Sequence, residues 1–95
     1  MRLISQDGMI DVPYEISALS IGFGEPDRKY NIYIRSKLFD EKPCVFATYS
    51  TKDKVLTVVE MLRKQFLDYC CNYHSQSGVF YFPKDEEVEI NNGLE

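Results

Sequence analysis

The stretch from Ser50 to Tyr73 constrains the fold more than any other. Val55, Val58, Val59, Leu62, Phe66, Tyr69, Cys70 and Tyr73 recur there at steps of three and four residues, the spacing that aligns one face of an α-helix. Leu56 and Leu67 flank this stripe, so the apolar face is broad, while Lys52, Lys54, Arg63, Lys64 and Asp68 mark the wet side. Ser50 or Thr51 suits the N-cap, and Asp53 lies near the positive end of the helix dipole. A helix from Thr51 to Tyr73 would run about 35 Å. A globule of this length is roughly 30 Å across, so the helix must cross the whole domain or fray after Cys71.

Strand and turn patterns fill the rest. Arg2 to Ser5 and Met9 to Glu15 flank the turn signal Gln6-Asp7-Gly8, with Ile10, Val12 and Tyr14 on one side, which predicts a hairpin. Pro13 lacks an N–H and belongs at a strand end or sheet edge. Leu19, Ile21 and Phe23 alternate within Ile16 to Phe23, and Gly24-Glu25-Pro26-Asp27 breaks the run. Tyr30 to Arg35 alternates cleanly, with Tyr30, Ile32 and Ile34 on one face and Asn31, Tyr33 and Arg35 on the other. Asp40-Glu41-Lys42-Pro43 reads as a loop, Cys44 to Tyr49 as a strand, Asn72 to Gly78 as a polar loop, and Val79 to Phe82 as a last strand before Pro83. One long helix among short strands predicts an α+β fold: an antiparallel sheet of about five or six strands with the helix packed across one face.

Length and composition narrow the classes. Ninety-five residues with 44% hydrophobic and 14% aromatic side chains suit one globular domain. The expected domain is residues 1–90 with an acidic C-terminal end, followed by a flexible tail, 91–95, whose Leu94-Glu95 matches the scar of a common cloning site. The opening Met1 to Asp7 has one basic residue and no apolar stretch of the kind an export signal uses. No segment approaches the ~20 apolar residues of a membrane span, so the expected location is the cytoplasm. The three cysteines, Cys44, Cys70 and Cys71, are an odd count and are expected as thiols there.

The net charge of −4 is unevenly spread. Lys84 to Glu95 holds one lysine against Asp85, Glu86, Glu87, Glu89 and Glu95, while the other 83 residues balance ten bases with ten acids. A neutral body gives little phosphate attraction. The acidic run lacks the turn residues that converge oxygens on a hard cation and reads as a solvated tail.

Candidate chemistry is sparse. Cys70 and His74 stand at i and i+4, one helix face, to which Cys44 could add a third ligand; with the adjacent Cys71 they are the chain's cluster of metal-ligating types. Structural zinc needs a second short-spaced pair, and none is present. A Cys–His nucleophile fares no better, because the helix C-terminus destabilises a thiolate. Gly22-Phe23-Gly24 precedes Glu25 and Pro26 instead of a helix, so it signals a tight hairpin and not a dinucleotide loop. Tyr30, Tyr33, Tyr49, Phe80, Tyr81 and Phe82 could stack on bases, but Arg28, Lys29, Arg35 and Lys37 are the one local basic cluster. No catalytic, cofactor-binding or metal-binding residue is assigned.

Met1-Arg2-Leu3-Ile4-Ser5-Gln6-Asp7-Gly8 followed by Ile10-Asp11-Val12-Pro13-Tyr14-Glu15 resembles a recurrent group of small Firmicutes proteins carried on prophages and other mobile elements. The resemblance continues in Tyr49-Ser50-Thr51, Val59-Glu60-Met61-Leu62-Arg63 and Phe80-Tyr81-Phe82-Pro83, and leaves Ile16 to Pro43 unmatched. It implies an origin and transfers no functional residues. The expectation is a small non-catalytic accessory protein that binds a host or phage protein and uses no cofactor. The alternative is a nucleic-acid-binding accessory protein using the region Arg28 to Lys37. The two differ in salt dependence, which is steep only for phosphate contacts.

Overall fold

The computed structural model describes residues 1–25, 27–37, 42–71 and 78–89. Those residues form six strands and one helix: β1 (Arg2–Ile4), β2 (Asp11–Pro13), β3 (Ser17–Phe23), β4 (Tyr30–Ser36), β5 (Cys44–Tyr49), α1 (Lys52–Cys71) and β6 (Val79–Tyr81). Pro26, residues 38–41 with Asp40 and Glu41, residues 72–77 with Tyr73 and His74, and residues 90–95 lie outside the described set. The domain expected over 1–90 and the tail expected at 91–95 therefore concern a C-terminus that is only partly described.

The expected α+β class with one helix is what the chain adopts. The expected single antiparallel sheet is not. Among the described residues the strands divide into two three-stranded sheets, β2-β1-β6 and β3-β4-β5. In the first, β1 runs antiparallel to β2 but parallel to β6. A parallel pair needs a crossover connection, and here everything from β2 through α1 lies between its partners.

Gln6 explains why the sheets do not merge. It follows β1 and reaches β5, where its N–H donates to the Phe46 carbonyl at 2.7 Å. Its side chain then takes over the ladder's role: Oε1 accepts the Thr48 N–H at 2.9 Å, while Nε2 donates to the Thr48 carbonyl at 3.2 Å and the Pro83 carbonyl at 3.0 Å. An amide side chain thus ends the pairing after one main-chain bond. A β-bulge beside it, where Ile32 and Tyr33 face Ala47 and Val45, leaves Phe46 as an extra residue. Phe46 and Ala47 consequently both point inward and are buried.

The core lies between α1 and the inner faces of both sheets. Val55, Val58, Val59 and Leu62 are its helix residues. They meet Ile32, Ile34, Phe46 and Tyr49 from one sheet, and Leu3, Val12 and Phe80 from the other, with Phe82 and Val88 closing the end. Leu3 pairs across its sheet with both Val12 and Phe80, so one buried row spans three strands. Phe82 stands edge-on to Phe46 and to Phe80, with centroids 5.9 and 5.1 Å apart.

The helix begins as the sequence indicates. Thr51 is the cap: its Oγ1 accepts the Lys54 N–H at 3.2 Å and its carbonyl accepts the Val55 N–H. Phe66 and Tyr69 are partly buried against the core, whereas Cys70, expected in the stripe, is exposed. Lys54, expected on the wet side, is half-buried because its Nζ donates to the Asp85 carbonyl at 2.9 Å.

The acidic segment is also more than a solvated tail. Asp85 opens a 3-10 turn (Asp85–Glu87), and its carboxylate accepts the Ser50 N–H at 2.9 Å and the Ser50 hydroxyl at 3.1 Å. Two residues earlier, the Tyr49 hydroxyl donates to the Pro83 carbonyl at 2.6 Å. Residues 83–85 therefore clamp the junction between β5 and α1. Burial, with the negative charge of Asp85 nearby, pushes the Tyr49 phenol far above its usual range.

Candidate functional site

The alternation of Leu19, Ile21 and Phe23 predicts one shared face of β3. Register puts them on the inner face, opposite Ile34, Ile32 and Tyr30, yet Ile21 is 40% and Phe23 47% exposed. The reason is position. β3 is the sheet's outer strand, while α1 packs on β4 and β5. Between helix and strand a cleft of about 500 Å³ stays open, lined by Tyr14, Glu15, Ser17, Leu19, Val59, Leu62, Arg63 and Phe66. Its floor is aliphatic and aromatic, with the Tyr14 ring tilted on Phe66 at 4.4 Å. Leu56, on the same helix flank, is 47% exposed and prolongs the apolar surface.

The rim carries two charges, each already held. The Glu15 carboxylate lies 2.7 Å from the Met1 amine, which keeps its pKa below the ordinary carboxylate value. A carboxyl held ionised in this way is a poor proton donor near neutrality. Arg63 bonds Glu60 at 3.1 Å. Among the described residues the lining holds no thiol or imidazole, and of its two hydroxyls that of Ser17 donates to the Pro13 carbonyl at 2.6 Å, so the arrangement can hold an apolar group.

The outer edge of β3 has its own chemistry. The bonds from Gly24 N–H to the Lys29 carbonyl and from Lys37 N–H to the Ile16 carbonyl fix the phase of the β3–β4 ladder. Paired residues alternate between hydrogen-bonded and non-bonded. Even-numbered residues of β3 therefore bond to β4, and the N–H and C=O groups of Leu19, Ile21 and Phe23 point away from the sheet. Among the described residues nothing takes those groups. On the outer face the Tyr33 ring covers Gly22: a Cβ there would lie 2.8 Å from its Cε2, so the ring would have to shift.

The other sequence candidates fall apart or lie elsewhere. Cys70 and Cys71 are exposed, Cys44 is half-buried on β5, and His74 lies outside the described residues. Among the described residues no group of three or more His, Cys, Asp or Glu side chains is placed to hold a metal ion. Arg28 and Lys29 occupy the β3–β4 turn, where Arg28 has a φ of 58°, but Arg35 and Lys37 sit at the far end of β4. At ~3.3 Å per residue the two pairs are roughly 20 Å apart, so they do not form one basic patch. No helix of the described residues is long and apolar enough to cross a membrane. Comparison with protein-family models, with curated proteins and with solved structures gives no match.

Sequence reasoning missed the cleft and the clamp. The cleft depends on which strand the helix leaves uncovered, and periodicity does not report that. The clamp had a faint signal in Pro83-Lys84-Asp85-Glu86-Glu87, a run that suits a helical turn start as well as a tail.

Proposed function

We propose that this chain is a small non-catalytic protein-binding domain, an accessory protein of a mobile genetic element, which engages a host or phage protein through the cleft between α1 and β3. The observation that carries the reading is the composition of that cleft: an open floor of Tyr14, Leu19, Val59, Leu62 and Phe66, flanked by the polar side chains of Glu15, Ser17 and Arg63, with no thiol or imidazole among the described lining residues. A partner segment offering one or two large apolar side chains fits this chemistry. The tethered rim charges give the site modest preference for charge, so affinity would come from apolar burial, about 25 cal/mol per Å² removed from water. The mobile-element origin rests on the motif set from Met1 to Glu15 and its continuation in the helix and in Phe80 to Pro83.

The test compares proteins retained from a host lysate by the unaltered chain and by Leu19→Asp, with circular dichroism confirming that the variant folds. A partner retained by the first and lost by the second, then shown to bind as a purified protein, is the expected result. Equal retention by both chains refutes the reading. Tight binding of a labelled oligonucleotide that weakens steeply between two salt concentrations would replace it with the nucleic-acid alternative.

A further inference from the structure

Sheet edges are usually guarded against pairing with other chains by short length, proline, lysine, bulges or covering groups. Three of the four edges here follow that rule. β2 is three residues long and contains Pro13. β6 is equally short, and its Val79 carbonyl accepts a hydrogen bond from Gln65 Nε2 at 2.8 Å. β5 is covered by Gln6, which takes both polar groups of Thr48 and the Phe46 carbonyl. Among the described residues β3 has none of these devices: seven residues, Ser-Ala-Leu-Ser-Ile-Gly-Phe, without charge or proline.

We infer that the β3 edge pairs with β3 of a second copy of this chain, antiparallel about a two-fold axis at Ser20, joining two three-stranded sheets into one of six strands. The sequence of the edge is what selects a second copy as the occupant. An isologous contact must be complementary to itself. With Ser20 opposite Ser20, residues summing to the same register meet as Leu19 with Ile21, Ser17 with Phe23 and Ala18 with Gly22. Apolar side chains then lie beside apolar ones on the inner face, and small ones beside small ones on the outer face. No charge between Ile16 and Gly24 is brought against its like.

The hydrogen bonds agree with that register. The outward groups belong to Leu19, Ile21 and Phe23, and a Leu19–Ile21 pair on each side of the axis uses the N–H and C=O of both residues. Each Phe23 N–H finds the Ser17 carbonyl of the other copy. The Ser17 N–H is already given to the Tyr14 carbonyl and is not needed. The half-exposed Ile21 and Phe23 become covered, and each cleft gains the Ile21 and Phe23 of the second copy along its open side. This inference goes beyond the proposed function and does not depend on what the cleft binds.

The test uses the outer face, away from the cleft. Ser20 is exposed, so Ser20→Lys and Ser20→Glu leave the fold of one copy intact but place like charges directly opposite each other at the axis. Sedimentation equilibrium should find the unaltered chain at twice its 11.1 kDa mass, each variant at the single mass, and an equimolar mixture of the two variants again at the double mass. Ile21→Pro removes an outward N–H without breaking a bond to β4 and should also give the single mass. An unaltered chain that is still single at about 1 mM, or a dimer that persists in both Ser20 variants and in Ile21→Pro, overturns the inference. Either result leaves the Leu19→Asp comparison to stand or fall separately.

Discussion

Replacing Asp85 by alanine removes the clamp that residues 83–85 place on the start of α1. The carboxylate accepts two bonds from Ser50, at 2.9 and 3.1 Å, and lies 3.5 Å from Lys54 Nζ. Losing a capping-type side chain costs about 0.5–2 kcal/mol, and losing an anion near a helix N-terminus about 0.3–1 kcal/mol. Asp85 is 37% exposed in its side chain, and solvent screening holds the ion-pair part near the bottom of its range. The expected loss for Asp85→Ala is therefore about 1–2 kcal/mol, or a fall in Tm of about 4–15 °C for a domain of this size. Asp85→Asn keeps an acceptor and should lose about half as much.

The pH dependence sharpens the test. The Ser50 N–H, followed by the Ser50 hydroxyl and Lys54, holds the Asp85 carboxyl below its ordinary value of 3.8. A depressed carboxylate stabilises the fold fully above the unfolded value and loses that contribution as pH falls through the folded value. Thermal melts followed by circular dichroism should show the gap between the unaltered chain and Asp85→Asn at neutral pH, narrowing as pH falls below 3.8 and through the depressed folded value. An unchanged Tm in Asp85→Ala refutes the clamp. A gap that stays constant into acid refutes its electrostatic origin.

Two further outcomes are expected. Leu62 is 2% exposed at the helix–sheet contact, so Leu62→Ala should cost about 2–5 kcal/mol in denaturant unfolding; an unchanged midpoint would mean the wrong face of α1 points inward. Gln6→Ala leaves the part-buried Thr48 N–H without its acceptor and should cost about 1–3 kcal/mol, with faster hydrogen exchange at Thr48 as the residue-level readout; unaltered exchange there would remove the Gln6 side chain from its role in ending the ladder.

The helix was legible because its signal is local. Period, cap and length all lie within Ser50 to Cys71, and Thr51 caps where the sequence places it. The strand faces of Tyr30 to Arg35 were legible for the same reason, since alternation survives whatever the strand pairs with. Sheet membership was not. Nothing near Arg2 to Ile4 states that its neighbour will be Val79 to Tyr81, and a polar Gln6 after a short strand reads as turn, not as the group that halts a ladder. Cys70, read as part of the stripe, is exposed, and Lys54, read as wet, is drawn in by the distant Asp85, a contact that helical period does not report. The candidate site depended wholly on such non-local facts: Leu19, Ile21 and Phe23 had the right pattern for burial, and only the path of α1 leaves them uncovered.

The parallel pairing of β1 with β6 has a consequence for how the chain is made. The segment that leaves the ribosome early cannot finish its sheet until the segment around Phe80 has also emerged. Until then Leu3 and Val12 sit in a two-stranded ribbon, too small to be stable by itself. Closure of the domain is therefore a late, long-range event, and a nascent chain stalled after α1 would present an incomplete greasy surface to chaperones and proteases.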